Sequence, residues 1–308
     1  MPVDPQIQQM LDAMAAMESV PASASTPEQV RELFRGLIAF GGPSAEVEVA
    51  DRVAPGPAGP VPVRVYTPEG TGPFPTLMWF HGGGYVIGDL DTADSAARSL
   101  CVAAGAVVVS VDYRLAPEHK APAAVDDCWA ATLWVAANPG EVGADPDRIA
   151  VGGDSAGGGI AALVALRARE AGTPKLVHQL LVYPYVDLAG TSPSMEENGT
   201  GYFLDKDTLE WFAAHYVDGS PYGLTDPLVS PLYAESLEGL APATVLTAEY
   251  DPLRDEGEAY AKRLVDAGVP VELIRYDSMI HGFFQLAMVT PVAAEALKAG
   301  AEALRSSF

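Results

Sequence analysis

The sequence contains few cysteines, and it lacks the common metal-binding motifs. Its 308 residues include only two cysteines, Cys101 and Cys128, and both fall in segments whose pattern predicts helices. Two cysteines without a catalytic or metal-ligand spacing favour a pair of buried free thiols over a disulfide. Neither H-E-x-x-H nor C-x-x-C occurs, so no motif predicts a metal site.

Basic residues are also scarce, and long apolar runs are missing. Lysine and arginine together number 18 against 41 aspartates and glutamates, and the net charge is −23. A surface this acidic repels phosphate backbones and anionic lipid headgroups, which argues against nucleic-acid and membrane partners. No run of about 18 apolar residues could span a bilayer, and the first residues do not resemble a secretory signal peptide. We therefore expect a cytoplasmic protein.

Strand and helix patterns alternate along most of the chain. The nearly continuous apolar runs at 107–111 and 180–183 are typical of strands that are buried on both faces of a parallel sheet. The alternation predicts an α/β fold, with a mostly parallel central sheet covered by helices on both faces. Strand patterns at 47–53 and 61–67 predict an antiparallel hairpin at the sheet edge. Because no linker interrupts the pattern, we expect residues 1–308 to form a single domain.

Two segments interrupt the alternation and predict a helical cap. Residues 1–45 precede the first strand and are amphipathic, with Ile7, Leu11 and Met14 on one helical face. Residues 187–216 are rich in glycine, serine and proline, yet they contain several aromatic residues. The alternative interpretation, a disordered surface excursion, would leave those aromatic side chains exposed. A cap formed by these two segments would bury both apolar sets.

Residues 153–157 read Gly-Asp-Ser-Ala-Gly and lie between an apolar strand pattern at 149–151 and a helical pattern at 160–168. At a strand-to-helix turn, G-x-S-x-G holds its serine on a sharp bend with the hydroxyl exposed above the sheet. The two glycines are needed because a Cβ atom would collide across so tight a turn. A glycine-rich helix start is the alternative, and the strand before the motif favours the nucleophile turn.

His-Gly-Gly-Gly at residues 81–84 follows the strand pattern of 76–80. No side chains shield the N–H groups of successive glycines, so two of them can donate to one oxygen, as an oxyanion hole requires. A phosphate-binding loop is the other use of such glycines. That use is disfavoured because G-x-x-x-x-G-K-[ST] does not occur and no basic residue follows closely.

Four segments resemble, in the family's order, those of the microbial hormone-sensitive-lipase-like (family IV) carboxylesterases. They are His-Gly-Gly-Gly-Tyr at 81–85, Asp-Tyr-Arg-Leu-Ala-Pro-Glu at 112–118, Gly-Asp-Ser-Ala-Gly-Gly at 153–158, and Asp-Pro-Leu-Arg-Asp-Glu-Gly at 251–257 with His-Gly-Phe at 281–283. The resemblance covers most of the chain. It implies the α/β-hydrolase fold and an ester hydrolase of lipid metabolism that uses a catalytic serine.

A serine hydroxyl needs a base to accept its proton, and His281 has the position for this role. It follows the last strand pattern, at the edge where α/β hydrolases present their catalytic residues. Asp251 opens the loop after the strand pattern of 243–248 and can orient the imidazole. Glu249 is the competing carboxylate, but it would lie on the strand itself. The chain order of Ser155, Asp251 and His281 is that of α/β hydrolases.

These residues predict an acyl-enzyme mechanism. Ser155 attacks the ester carbonyl, and the N–H groups of Gly82, Gly83 and Ala156 stabilise the oxyanion. The mechanism requires no metal or organic cofactor. The residues that we expect to bind the substrate are Tyr85, Tyr185, Phe203, Leu204, Trp211, Phe212 and Ile280.

Two other functions are compatible with the same fold. An amidase or lactonase would use the same triad, and the motifs do not separate amine from alcohol leaving groups. A non-catalytic receptor is a further alternative, since gibberellin receptors resemble this family, but they lack the histidine that stands here at 281. We therefore expect a carboxylesterase for short- to medium-chain acyl esters. The sequence leaves a homodimer open.

Overall fold

The computed structural model describes residues 1–16, 20–42 and 45–308. Eight strands within these ranges form one sheet in the order β1-β2-β4-β3-β5-β6-β7-β8. The strands are β1 (Glu48–Gly56), β2 (Gly59–Thr67), β3 (Phe74–Phe80), β4 (Val107–Val111), β5 (Ala144–Asp154), β6 (Leu176–Val182), β7 (Ala243–Tyr250) and β8 (Val271–Ile280). The helices are α1 (Pro5–Ala15), α2 (Pro27–Arg35), α3 (Asp94–Ala104), α4 (Ala123–Ala137), α5 (Ala156–Ala171), α6 (Pro193–Glu197), α7 (Lys206–Val217), α8 (Arg254–Asp266) and α9 (Val292–Ser307). None of the helices in the described ranges is long and apolar enough to cross a bilayer.

The sheet is parallel except at one edge. β1 and β2 form an antiparallel hairpin in which Gly56 lies opposite Gly59, and β2 pairs antiparallel with β4. All other neighbouring strands run parallel. Every residue of β4 is buried, as expected of a strand with helices on both sides. The predicted edge hairpin and the predicted mostly parallel α/β sheet are therefore confirmed.

Helices cover both faces of the sheet and create two apolar layers. In one layer Val125 of α4, Ile160 of α5 and Tyr260 of α8 pack against the strands. In the other, Leu100 of α3 and Leu304 of α9 pack against the opposite face. Burying an aliphatic or aromatic side chain contributes about 1.5–3 kcal/mol, so these layers stabilise the platform that carries the loops.

The two cysteines belong to different layers. Cys101 of α3 lies in the layer with α9, and Cys128 of α4 lies in the layer with α5. Both thiols are free and buried, as predicted. Burial raises the pKa of each thiol, because the low-dielectric core disfavours the thiolate.

The N-terminal segment is helical and lies against the core. Ile7 and Leu11 of α1 are buried in the layer with α3 and α9, whereas Met14 is 38% exposed. Thr26 caps α2 and forms a capping box with Gln29. Of the predicted cap segment 1–45, residues 17–19 and 43–44 lie outside the described part of the chain.

Arg31 of α2 connects this segment to two loops at the carboxyl edge of the sheet. Its guanidinium donates to the Val86 carbonyl at 2.8 Å and to the Ala116 carbonyl at 2.9 Å. It also forms a bidentate pair with Glu118, at 2.7 Å for each bond, which lowers the pKa of Glu118 to about 2. Because Val86 lies just after the three glycines, α2 is held directly above the predicted oxyanion loop.

The second predicted cap segment, 187–216, contributes α6 and most of α7. Both helices follow the carboxyl end of β6. The Ser194 hydroxyl of α6 donates to the Pro252 carbonyl at 2.8 Å, and its N–H donates to Asp255 at 2.9 Å. Phe212 of α7 is 5% exposed. The segment is therefore ordered against the loop that follows β7, and its role as a cap stays a prediction.

The turn between β5 and α5 leaves no room for side chains beside Ser155. A Cβ atom on Gly157 would overlap the carbonyl oxygen of Phe80 at the end of β3, and a Cβ atom on Gly153 would meet the same oxygen. Ser155 has a φ angle of 55°, in the left-handed region that residues other than glycine rarely adopt. The two glycines therefore let the turn close against β3 with the serine at its tip.

We expect Gly157→Ala to destabilise the protein by about 3 kcal/mol or more, because the new methyl group has to displace the backbone of β3. Urea unfolding of the purified variant measures this loss. Gly140→Ala is the matched control, since no atom lies within 4 Å of its added Cβ. The control should stay within about 0.5 kcal/mol of the original protein. Equal stability of the two variants would contradict the overlap.

Candidate active site

Ser155, His281 and Asp251 lie in one hydrogen-bonded line. The Ser155 hydroxyl is 3.0 Å from Nε2 of His281, and Nδ1 of His281 is 2.7 Å from Oδ2 of Asp251. A carboxylate only accepts hydrogen bonds, so Nδ1 carries the proton and Nε2 is free to accept the serine proton. All three side chains are buried.

Each of the three residues follows the carboxyl end of a strand. Ser155 follows β5, Asp251 follows β7 and His281 follows β8. Parallel strands end at the same edge of the sheet, and this brings residues that are 126 positions apart into contact. The structure therefore brings the predicted residues together by the route that their positions after strands suggested.

The loop that carries Asp251 is anchored from within and from α6. The other carboxylate oxygen of Asp251 accepts the N–H of Leu253 at 2.8 Å. The side-chain amide of Asn198, just after α6, donates to the Asp251 carbonyl at 3.3 Å and to the Glu249 carbonyl at 3.1 Å. Asn198 is 6% exposed. No local signal in the sequence distinguishes this loop amide, because its partners lie more than 50 residues away.

The competing carboxylate and two other histidines, His81 and His178, have surroundings that differ from those of the triad. The Glu249 carboxylate pairs with the amino group of Met1 at 3.2 Å. Burial lowers the pKa of both His81 and His178 to about 4, because desolvation disfavours the imidazolium. His178 lies within β6, where its ring contacts the Thr244 hydroxyl at 3.1 Å.

The loop after β3 is held by its carbonyl groups. The Tyr113 hydroxyl donates to the His81 carbonyl at 2.7 Å, and Nδ1 of His81 lies 2.7 Å from the Gly82 carbonyl. The Gly83 carbonyl accepts the N–H groups of Val86 and Ile87. Since the His81 ring contacts the Gly82 carbonyl, its role is to order this loop.

The structure corrects one predicted oxyanion donor. The N–H of Gly82 donates to Oδ1 of Asp154 at 3.0 Å, so this group is already engaged by the protein. Gly83 and Gly84 line the cavity beside Ser155. The N–H groups of Gly83, Gly84 and Ala156 donate to no acceptor in the described part of the chain. The available donors are therefore Gly83, Gly84 and Ala156, and Gly82 is not among them.

Asp154 is a buried carboxylate beside the nucleophile. It is 4% exposed, and burial raises its pKa to about 6, against the opposing effect of hydrogen bonds from Gln285 and Gly82. A folded-state pKa above the ordinary value means that the folded protein holds this proton more tightly than the unfolded chain does. The resulting stabilisation is present at acid pH and is lost as the pH rises through about 6.

A cavity of about 900 Å³ opens onto Ser155 and His281. Of the residues predicted to bind the substrate, four line it: Tyr185, Phe203, Leu204 and Phe212. Side chains of α2 that the sequence did not single out also belong to the wall: Val30, Leu33 and Phe34. The capping box and amphipathic pattern of α2 were a signal for a helix, but they did not reveal which surface the helix covers.

Three residues predicted to bind the substrate do not line this cavity. Tyr85 is fully buried and stacks on Tyr216, with ring centroids 4.0 Å apart. Trp211 packs edge-on against His215 at 4.3 Å. Ile280 is fully buried in the layer with α3 and α9. These side chains pack against other residues of the protein and do not line the cavity.

Among the described residues, no group of three or more histidine, cysteine, aspartate or glutamate side chains could hold a metal ion. Asp154, Ser155 and His281 are among the polar residues that line the cavity, and its lining surface is mainly apolar. The arrangement thus offers a nucleophile, a base and free N–H donors around a space for an apolar molecule.

The chain is similar to known ester hydrolases over nearly its whole length. A family profile described as the α/β-hydrolase fold matches residues 77–285. In Mycobacterium tuberculosis, the carboxylic ester hydrolase LipN is 45% identical over 92% of this chain and 77% of its own length. The esterase LipI of the same organism is 44% identical over 98% of this chain and 94% of its own length.

A solved structure extends the similarity to the three-dimensional fold. The hyperthermophilic esterase from the archaeon Pyrobaculum calidifontis superposes with a TM-score of 0.95 at 41% identity, and the match covers 99% of each chain. The profile match spans more than half of this chain, and it agrees with the sheet order and the nucleophile turn. The chain therefore belongs to the hormone-sensitive-lipase-like (family IV) group of the α/β-hydrolase fold, and it is a carboxylic ester hydrolase.

Proposed function

We propose that this enzyme hydrolyses short- to medium-chain acyl esters through a triad of Ser155, His281 and Asp251 and a covalent acyl-enzyme intermediate. The observation that carries the proposal is the unbroken hydrogen-bonded line from the serine hydroxyl to the buried carboxylate, at 3.0 and 2.7 Å. Such a line activates a hydroxyl that is otherwise a weak nucleophile. Ser155 lines the cavity, which gives a substrate access to the hydroxyl.

In the proposed acylation step, Oγ of Ser155 bonds to the ester carbonyl carbon while its proton passes to Nε2 of His281. Asp251 stabilises the imidazolium that forms. The tetrahedral intermediate then collapses, the bond to the alkoxide breaks, and His281 returns the proton to the departing alcohol. Water repeats the sequence on the acyl-enzyme, releases the carboxylic acid and restores the serine hydroxyl.

We assign the oxyanion hole to the N–H groups of Gly83, Gly84 and Ala156. All three are free of partners in the described residues, and Gly83 and Gly84 lie in the cavity wall with Ser155. The N–H of Ala156 is also at the first position of the 16-residue helix α5, whose N-terminal partial charge favours a negative oxygen. One such donor is worth about 10²–10³ in kcat.

The preference for acyl length rests on the cavity. Its volume of about 900 Å³ is within the range of 300–1,000 Å³ that suits small ligands. Side chains from α2 and α7, among them Phe34 and Phe212, line it together with the serine. A wall of this kind supports acyl chains of about four to eight carbons over long-chain triglycerides. We further propose a cytoplasmic enzyme with a small-molecule substrate, since the net charge of −23 disfavours nucleic-acid and anionic-membrane partners.

Ser155→Ala should lower kcat by about 10⁴- to 10⁶-fold, because the nucleophile is lost. Hydrolysis of p-nitrophenyl butyrate measures the loss, and thermal unfolding checks that the variant is folded. Ser110→Ala is the matched control, since Ser110 is a buried serine of β4 outside the site. Its kcat should be unchanged. A purified Ser155→Ala variant with even a tenth of the original rate would rule out the triad.

Asp251→Asn should lower kcat by about 10⁴-fold while the fold is retained, because an amide can donate to Nδ1 of His281 and favours the wrong tautomer. Glu249→Gln provides the control, since this carboxylate pairs with the amino group of Met1. Its kcat should stay within a factor of about two. If Glu249→Gln is the inactive variant and Asp251→Asn is active, the assignment of the acid is wrong.

Phe34→Ala should shift the preference towards longer acyl chains by enlarging the cavity. We expect the ratio of kcat/KM for decanoate to that for butyrate to rise about tenfold, the discrimination that a single methylene can provide. A series of p-nitrophenyl esters measures the ratio, and one anilide and one lactone in the series test the amidase and lactonase alternatives. Glu32→Ala is the control, because this side chain of the same helix is 82% exposed. An unchanged profile in Phe34→Ala would remove α2 from the acyl site.

A further inference from the structure

The residue before the nucleophile contacts the other two catalytic loops. Oδ1 of Asp154 accepts the N–H of Gly82 at 3.0 Å, and Oδ2 accepts the side-chain amide of Gln285 at 2.7 Å. Gly82 directly precedes Gly83 and Gly84, whose N–H groups are free, and Gln285 lies four residues after His281. One carboxylate thus joins the nucleophile turn, the oxyanion loop and the histidine loop.

We propose that Asp154 is a positioning residue, which acts with Gln285 to set the distance between the oxyanion donors and the catalytic base. The inference rests on the proposed function of Ser155 and His281, because it concerns the relative placement of their loops. Asp154 does not hydrogen-bond to the Ser155 hydroxyl or to the ring of His281. It acts through the loops and takes no part in proton transfer.

The contact with Gly82 determines which N–H groups face the substrate. A Cβ atom on residue 82 would lie 2.5 Å from Oδ2 and 3.2 Å from Cγ of Asp154, so only glycine permits this approach. The hydrogen bond to Asp154 turns the N–H of Gly82 towards the protein interior. The carbonyls of His81 and Gly82 are bound by Tyr113 and His81. The loop is therefore held by the carbonyls of His81 and Gly82 and by the N–H of Gly82. The N–H groups of Gly83 and Gly84 remain available for the oxyanion.

The contact with Gln285 fixes the other end of the arrangement. Gln285 closes a 3₁₀ turn that begins directly after Gly282, and its own N–H donates to the Gly282 carbonyl at 3.0 Å. The side chain can reach Asp154 only while this turn is formed. Loss of the Gln285 amide would therefore free the segment that carries His281 from the oxyanion loop, although the backbone of the turn would remain.

The surroundings of Asp154 indicate that geometry, and not an ion pair, is what the carboxylate supplies. No lysine or arginine forms a salt bridge with it in the described part of the chain, and both of its oxygens accept hydrogen bonds from uncharged groups. An asparagine could reproduce both bonds. Its carbonyl would accept from Gly82, and its amide would donate to Gln285 once the Gln285 amide had turned by 180°.

The experiment compares Asp154→Ala, Asp154→Asn, Gln285→Ala and the Asp154→Ala/Gln285→Ala double variant. We measure kcat and KM with p-nitrophenyl butyrate, together with Tm. Asp154→Ala should lower kcat by about 10²-fold with KM changed less than about threefold, because a displacement of 1 Å at a catalytic group has this effect. Gln285→Ala should lower kcat by about tenfold, and the double variant should be no slower than Asp154→Ala, since the two side chains act as one unit.

Asp154→Asn should recover at least about a tenth of the original kcat, because it keeps both hydrogen bonds without the charge. Asp127→Asn is the matched control for a damaged core. Asp127 is a 1% exposed carboxylate that accepts three hydrogen bonds from Arg114, all outside the site. This control should lower Tm while kcat stays within a factor of about two.

Three results would overturn the inference. They are an unchanged kcat in Asp154→Ala, an Asp154→Asn variant as slow as Asp154→Ala, and an Asp127→Asn variant with an equal loss of kcat. The second result would mean that the negative charge of Asp154 matters, and not its hydrogen bonds to Gly82 and Gln285. The third result would mean that any defect in the buried core slows the enzyme. The Ser155→Ala measurement separates this failure from a failure of the proposed function, because it tests the triad without touching Asp154.

Discussion

The close approach of the nucleophile turn to the end of β3 is the constraint on which the rest of the site depends. The Phe80 carbonyl occupies the space that a side chain on Gly153 or Gly157 would need. This contact sets Ser155 at the tip of the turn, and it also sets the origin of the oxyanion loop, because His81 and Gly82 follow Phe80 directly. The nucleophile and the donors for the oxyanion are thus placed by a single backbone contact.

Asp251 and His281 follow β7 and β8, in the other half of the sheet, and each lies on its own loop. The Asp251 loop is tied to α6 through Asn198 and Ser194. The loop after His281 is tied to Asp154 through Gln285. Each loop extends from a strand of the rigid parallel sheet, and hydrogen bonds from residues distant in sequence hold it in place. This is how a scaffold places catalytic groups accurately on loops.

Substrate access is governed by segments from distant parts of the chain. Side chains of α2 and α7 line the cavity together with Ser155. Arg31 of α2 donates a hydrogen bond to the Val86 carbonyl, just after the three glycines. A helix that lines the cavity is therefore bonded directly to the oxyanion loop. A change in the docking of α2 would therefore alter the shape of the cavity and the placement of the donors together.

The sequence by itself determined the fold class and the positions of Ser155, Asp251 and His281 after three strands, because strand patterns and glycine turns are local features. The resemblance of four short segments to the family IV carboxylesterases indicated the enzyme class. The tertiary structure alone decided which N–H groups are free. Gly82 was predicted as a donor, but its N–H meets Asp154, which lies 72 residues away. The tertiary structure also decided which side chains line the cavity. Phe34 lines it, whereas Tyr85 and Trp211, which were predicted to contact the substrate, do not. Packing partners distant in sequence set the direction of a side chain or an N–H group, and a local pattern carries no information about those partners.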